Sequence, residues 1–519
     1  MTVNEDRRFY RRGWKEALAA FLHPRAVAML FLGFSAGLPI LLIFSTLSVW
    51  LREAGLQRAT VTFFSWAALG YSFKFVWAPL IDRLPFPYVT RKMGRRRGWL
   101  IVSQFSLILA MVWTSLFDPQ KAITLTAVGA VLIGFSSATQ DIVIDAYRIE
   151  SAEPEMQSML SSMYIAGYRI GMIAAGAGSL WLADWWGTGT YTFGVWANVY
   201  RSMAALMLVG IVTTLVIPEP DRKSDATGSF EGTADYVRFL LVFVLAVGAF
   251  MAGFFLTAET GRTLKTVLVD DLEMQKRLAG FIAETGRFAF SLAAGSLMAG
   301  LLIKLRVVPY RHLRETYVDP ISDFFDRYGR QALIILLLVG TYRTSDILMG
   351  VIANVFYIDV GFTKSQIATY TKFWGLWATI GGGFLGGVLS VRYGVARILF
   401  VGAVLSAATN VLFAWVARQG PDEWLLLMVI VADNVSAGLA AAAFVAYLSG
   451  LTSVTFTAVQ YAVFSSVMTL FPKIMAGYSG GMVDSIGYEA FFIATAVVGI
   501  PVALLVLWAG RMEPRRVSG

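Results

Sequence analysis

Apolar runs of about twenty residues, the length a helix needs to cross a ~30 Å hydrocarbon core, return fourteen times between short polar loops, and this recurrence leaves few folds open. The runs lie at 26–50, 59–80, 99–117, 121–147, 157–182, 195–217, 237–256, 280–303, 331–357, 364–390, 396–417, 424–450, 456–482 and 489–510. Inside a bilayer each run must satisfy its own backbone hydrogen bonds, which an isolated segment does only as a helix. The expected fold class is therefore an all-α integral membrane protein. With 57% apolar and 15% charged residues and a mean hydropathy of +0.64, a soluble globular fold is excluded.

The net charge of +9 sits in the loops and not on a nucleic-acid-binding face. Arg83, Arg91, Lys92, Arg95, Arg96 and Arg97 cluster after the second run, whereas the loop 183–194 carries no Lys or Arg. The positive-inside rule then puts both termini in the cytoplasm, and the arginine-rich N-terminus reads as a cytoplasmic start followed by a retained span. Trp181, Trp185, Trp186, Tyr191, Phe193 and Trp196 read as an interfacial aromatic belt on the other side. There is no Cys, and the only histidines, His23 and His312, fall in basic loops, so neither a metal site nor a cofactor is expected.

The stretch 218–232 has no apolar period and reads as a linker. It divides the chain into 1–217, six spans; 218–330, the linker with two extra spans and a basic loop; and 331–519, six more spans. The outer parts look like repeats. A shift of 306 lays Leu51-Arg-Glu-Ala-Gly-Leu56 on Tyr357-Ile-Asp-Val-Gly-Phe362, and a shift of 300 lays Tyr147 on Tyr447 and Asp184 on Asp484.

Chemistry concentrates in Gly134-Phe-Ser-Ser-Ala-Thr-Gln-Asp-Ile-Val-Ile-Asp-Ala-Tyr-Arg148. Asp141 and Asp145 stand i, i+4 on one helical face, continued by the small residues Gly134, Ser137 and Ala138. Ionisable groups at bilayer depth line a protein interior or a wet cavity. Lys74, Arg169, Arg343, Asp346, Lys372, Asp433 and Lys473 also fall inside spans, with Gln140, Tyr164, Tyr342 and Asn434. Two readings are open: ion pairs that hold helices together, or a cavity whose charges are satisfied by water and a polar ligand. On the second, Arg169, Arg343, Lys372 and Lys473 suit an anionic substrate, Arg above all for carboxylate. Asp141, Asp145 and Asp346 are the candidates for proton coupling, since burial and a cationic neighbour act oppositely on a carboxyl's proton affinity. Lys74 and Asp82, near the cytoplasmic end, lean structural; Arg148, three residues after Asp145, would keep it ionised and close a gate with it. Arg201, near the outer end of its span, would snorkel. The runs Gly381–Gly387 and Ala476–Gly481 read as close-packing surfaces. An acid–base pair Asp141/Asp145 in an enzyme would need a nucleophile or metal set that the chain does not offer.

Gly387-Val-Leu-Ser-Val-Arg392-Tyr-Gly394, with Ala78-Pro-Leu-Ile-Asp82-Arg83 and Gly94-Arg95-Arg96-Arg97 as its first-half counterpart, resembles the loop motif of the major facilitator superfamily (MFS). That resemblance implies two six-helix halves with a midplane site between them. Ser137-Ala-Thr-Gln-Asp-Ile-Val-Ile-Asp-Ala146 resembles the fourth-span signature of AmpG-type muropeptide permeases. Phe34-Ser-Ala-Gly-Leu-Pro39, Lys74-Phe-Val-Trp-Ala-Pro-Leu-Ile-Asp-Arg83, Gly167-Tyr-Arg-Ile-Gly-Met172, Asp323-Phe-Phe-Asp-Arg-Tyr-Gly329 and Tyr342-Arg-Thr-Ser-Asp346 look like the same family. The resemblance implies proton-driven import of anhydro-muropeptides, GlcNAc-anhydroMurNAc with or without a stem peptide, across the bacterial inner membrane. It serves peptidoglycan recycling and β-lactamase induction, hence antibiotic resistance. The expected carrier is a monomer, with Gly37, Ala138, Gln140, Tyr164, Tyr342 and Asn434 joining the cations in the substrate site and Lys74, Asp82 and Arg148 gating. Arg343 departs from the family pattern, where Lys often stands. Acetyl-CoA transporters, carriers of another anionic solute, share the general pattern and are the alternative.

Overall fold

The computed structural model describes residues 20–57, 64, 71, 73–85, 88–153, 156–187, 190–220, 233–309, 311, 314–476 and 479–510. Among the described residues the regular structure is helical throughout, and eleven helices are long and apolar enough to cross a membrane. The chain is a multi-pass membrane protein. Of the other three expected spans, 59–80 falls mostly outside the described residues. The fifth is helical from Gln157 to Trp186 in three pieces, and the thirteenth is the helix Thr457–Ala476.

Residues Met1–Asp225 and Asp323–Gly519 form one unit. Its first half contains α1 (Pro24–Ile43), α2 (Ser45–Glu53), α3 (Ala78–Arg83), α4 (Arg95–Thr114), α5 (Ile123–Glu150), α6 (Gln157–Ile173), α7 (Ser179–Trp186), α8 (Phe193–Leu206) and α9 (Leu208–Val216). The second unit, Ala226–Ser322, contains α10 (Thr233–Leu256), α11 (Ala258–Asp270) and α12 (Lys276–Lys304). The second half of the first unit is completed by α13 (Asp319–Tyr328), α14 (Gln331–Thr341), α15 (Thr344–Val360), α16 (Gly375–Tyr393), α17 (Val395–Gln419), α18 (Glu423–Leu451), α19 (Thr457–Ala476) and α20 (Ser479–Ala509). In the second unit α10 packs on α12 through Gly253 against Ser291 and Phe250 against Phe288, while most of both apolar faces stays exposed.

The repeat seen in the sequence is written into the backbone. Gly55 and Gly361 end equivalent helices at φ 80° and 109°, each followed by the same capping bond, Leu56 N to Leu51 O and Phe362 N to Tyr357 O. Gly94 and Gly394, 300 residues apart, open α4 and α17 at φ 86° and 90°. These positive-φ conformations favour glycine, and Gly55 and Gly361 are the aligned glycines of the 306-residue shift.

The last expected span, 489–510, follows a break in Ser479–Ala509 at Gly487 (φ 77°), which falls in the connection expected at 483–488. One expectation about the belt changes. Trp181 and Trp185 are exposed as an interfacial belt requires, but Trp196 is 1% exposed. It stacks on Trp50 at 6.0 Å and its Nε1 donates to Glu53 at 2.5 Å, so it holds α8 to the first span instead of meeting lipid headgroups.

The first and fifth spans touch backbone to backbone. A Cβ on Gly33 or Gly37 would collide with the carbonyls of Tyr164 and Tyr168, and one on Gly167 or Gly171 with those of Leu30 and Phe34. Two small-xxx-small faces interlock this way. Gly167→Leu is expected to cost about 1–3 kcal/mol by overpacking, read as a lower melting midpoint in detergent. Gly300→Leu, on a glycine with open space around it, is the control and should leave the midpoint unchanged.

Candidate functional site

From Ser136 to Ile149 every residue of α5 is buried, which is how a membrane helix can carry two carboxylates. Asp145 lies 3.6 Å from Lys74 Nζ and 3.3 Å from Arg148 Nη2. The same guanidinium donates to Ser161 Oγ at 2.9 Å and, in the other half, to Ser449 Oγ at 2.7 Å, and it lies over the Tyr461 ring at 5.2 Å. Asp141, one turn earlier, is treated differently. Its Oδ1 is buried without a hydrogen-bond partner among the described residues, and Lys74, Tyr71, Tyr164 and Tyr168 lie within its electrostatic reach. Tyr71 donates to Ser137 Oγ at 2.7 Å. The sequence reading missed Tyr71 and Tyr168; the signal was their position, three residues before Lys74 and four after Tyr164, on the same helical faces.

Below this level Arg96, 1% exposed, sits between Asp82 at 2.6 Å and Glu150 at 2.5 Å. Its Nη2 also donates to Thr457 Oγ1 at 3.0 Å, and Asp82 accepts from the Val459 backbone N–H at 3.0 Å. With the Arg148–Ser449 bond, these contacts tie the halves together at the end that bears the arginine-rich loop. Glu219 caps α4 there, accepting from the N–H groups of Arg96 and Arg97 at 2.8 and 2.9 Å. Arg96→Ala leaves two buried carboxylates uncompensated, a loss of about 3–5 kcal/mol, and is expected to open this end. The chain has no native Cys, so a single cysteine at buried Ser158 reports the change. Alkylation by a membrane-impermeant maleimide applied on the side of the arginine-rich loop should be slow in the parent and at least tenfold faster with Arg96→Ala; equal rates would contradict the clamp.

Near mid-depth stand two arginines of another kind. Arg169 on α6 and Arg343 between α14 and α15 lie twelve residues in from Gln157 and Gln331, roughly 18 Å at 1.5 Å per residue. They are close enough to repel each other across the two halves. Neither has a carboxylate within ion-pair distance among the described residues, and the polar contact of Arg169 is Met172 Sδ at 3.9 Å. Arg343 occupies the interruption of the ninth expected span, so the N-terminus of α15 adds its dipole to the guanidinium. Such an arrangement is deficient in negative charge by construction.

The other expected site residues scatter. Gln140 is fully buried and accepts from Ser35 Oγ at 3.3 Å; Ala138 is fully buried too, and Gly37 is a packing contact with Tyr168. Tyr342 donates to the Leu399 carbonyl at 3.0 Å and stacks on Phe444 at 4.4 Å, inside its own half. Asn434 accepts from Thr379 Oγ1 at 2.8 Å and donates to the Ile430 carbonyl at 2.9 Å. Asp346 accepts from Ser406. Lys372 and Lys473 fall in helical segments, but their side chains lie outside the described residues. Arg201 is exposed, as a snorkelling residue should be.

The sequence profile of the Major Facilitator Superfamily matches residues 29–314 and 322–519. The chain is 29% identical to the AmpG 4 transporter of Rickettsia conorii over 484 residues, 93% of this chain and 96% of that one. It is 28% identical to the anhydromuropeptide permease of Escherichia coli strain K12 over 491 residues, 94% of this chain and 80% of that one. Among solved structures the fold is similar to the proton:xylose symporter XylE (TM-score 0.57, 12% identity, 96% of each chain) and the E. coli fucose:proton symporter FucP (TM-score 0.58, 11% identity, 94% of this chain and 99% of that one).

Proposed function

We propose that this chain, which belongs to the Major Facilitator Superfamily, is a proton-driven importer of anhydro-muropeptides, GlcNAc-anhydroMurNAc with or without its stem peptide. The family supports the reading as a transporter rather than an enzyme; the substrate and the coupling go beyond it. The observation that carries it is the pair Arg169 and Arg343, one from each half, within electrostatic reach of each other and with no carboxylate in ion-pair distance among the described residues. Two unneutralised guanidiniums at the midplane are costly unless an anion arrives, and the lactyl or peptide carboxylate of a muropeptide is such an anion. The likeness to the E. coli anhydromuropeptide permease supports this choice of anion. In this reading Tyr164 and Tyr168 contact the sugar, Asp141 carries the proton, and Lys74, Asp82, Asp145 and Arg148 close the cytoplasmic end. The termini then lie in the cytoplasm of a bacterium and the membrane is the inner one. A reporter fused after Gly94 should read cytoplasm and one within 187–192 periplasm; the reverse pair would overturn the orientation.

Equilibrium binding to the purified protein tests the substrate. Labelled GlcNAc-anhydroMurNAc should bind and be displaced by its unlabelled form but not by acetyl-CoA. Displacement by acetyl-CoA alone would transfer the assignment to the other anionic carriers.

A further inference from the structure

A second pair of carboxylates lies within the C-terminal half. Asp346, in the first turn of α15, accepts a hydrogen bond from Ser406, and Asp433 of α18 accepts one from Thr409 Oγ1 at 3.0 Å. Ser406 and Thr409 are three residues apart on α17, so the two carboxylates hang on one helical turn, ~4.5 Å of rise, and each feels the other's charge. Among the described residues neither has a Lys or Arg within ion-pair distance. This sets them apart from Asp82, Asp145 and Glu150, each of which faces a cation.

A second feature points at the same place. Ser436 is 3% exposed and its Oγ has no partner among the described residues. It lies on α18 between Asp433, which meets Thr409, and Ala440, on which Gly402 packs. It therefore faces the level of α17 that carries Ser406. A void of about 10 Å³ lies on the Asp346 side, lined by Asp346, Ser406, Tyr342 and Ala440 among others, which is room for one water-sized group. The other titratable groups facing the pair are Tyr342, which donates to the Leu399 carbonyl, Tyr357, within electrostatic range of Asp433, and Arg343, one turn before Asp346. From α20 the neighbouring contact is the Thr495 carbonyl, held by Ser345.

We propose that Asp346 and Asp433 form a second coupling site that holds one proton between them, with Ser436 as a further acceptor. Two like charges hung on one helical turn, supplied with hydroxyl donors and no cation within ion-pair distance among the described residues, disfavour each other, and a proton held at the pair removes that repulsion. Because Arg343 is one turn from Asp346, an anion docking on Arg343 and the proton on the pair act on each other directly. That role in transport rests on the importer reading above; the shared proton does not.

Infrared difference spectroscopy of the purified Asp141→Asn protein in liposomes reads the carbonyl stretch of a protonated carboxyl. A band that shifts in heavy water should be present at neutral pH and be lost on adding Asp433→Asn, because Asp346, in the first turn of α15 and one turn from Arg343, is then left as a carboxylate. Asp346→Asn should move the band without removing it, because Asp433 loses the partner that shares its proton. Asp433→Glu, which keeps the second acid, should retain it. Persistence of the band in Asp433→Asn, or its absence from the starting protein, overturns the proposal. So does its loss on adding sodium, which would make this a metal-cation site. Should Asp433→Asn fail to give monodisperse protein, the band in Asp346→Asn carries the test, and an unmoved band overturns the proposal. A protein that binds no muropeptide would still show the band.

Discussion

Arg169→Ala and Arg343→Ala are each expected to abolish transport while leaving the amount of folded protein near that of the parent. Removing a charge that contacts a substrate carboxylate costs about 2–5 kcal/mol, roughly 30-fold to several thousand-fold in affinity. Folding should survive, because among the described residues no carboxylate depends on either guanidinium, and removing one of two mutually repelling cations relieves the other. Arg96 and Arg148 provide the contrast: both are buried among acids and hydroxyls, and their loss should damage the fold or the gate. Arg169→Lys should fall between parent and Ala, since a point charge replaces a planar fork. Binding of labelled substrate and the monodisperse peak in detergent, measured on the same preparations, separate the two outcomes. A collapsed peak with Arg169→Ala would mean that the arginine holds helices together.

Asp141→Asn is expected to eliminate accumulation driven by a pH gradient and to retain downhill exchange of substrate. The carboxyl is buried, its Oδ1 lacks a partner among the described residues, and its surroundings are phenols and one lysine already engaged with Asp145. A neutral amide imitates the protonated acid at that point and can neither take up nor give back a proton. Asp145→Asn should instead slow transport and keep the response to the gradient, because Asp145 is held between Lys74 and Arg148 and its loss loosens the contact to Ser449. Uptake against exchange in proteoliposomes distinguishes them. If Asp141→Asn still concentrates substrate, the proton travels elsewhere, and Asp346 with Asp433 is the next place to look.

The helical architecture was legible because bilayer length and backbone satisfaction act on each run separately, so local composition suffices. The carboxylates of α5 were legible for the same reason: charge in an apolar run is visible without knowing any partner. Partnership was not. Thr457 and Val459 approach Arg96 and Asp82 from more than 360 residues away, and Ser449 approaches Arg148 from 301. No spacing rule reaches that far. Gln140 and Tyr342 were grouped with the substrate site on span membership alone, whereas which way a side chain turns depends on the neighbour it meets, Ser35 for one and the Leu399 carbonyl for the other. The interruption at Arg343 has no proline to announce it, and Gly340 three residues before reads equally well as a packing glycine. Glu150 was passed over because it lies beyond the expected end of its span, yet it is one of the two acids that hold Arg96.

Gradient-driven uptake tests the central claim most directly. Purified protein in proteoliposomes, with the interior made alkaline, is offered labelled GlcNAc-anhydroMurNAc or labelled acetyl-CoA. Accumulation of the anhydro-disaccharide above the external concentration, collapsing when a protonophore dissipates the gradient, is the predicted result. Uptake that only equilibrates whatever the gradient, or accumulation of acetyl-CoA in its place, would contradict the account.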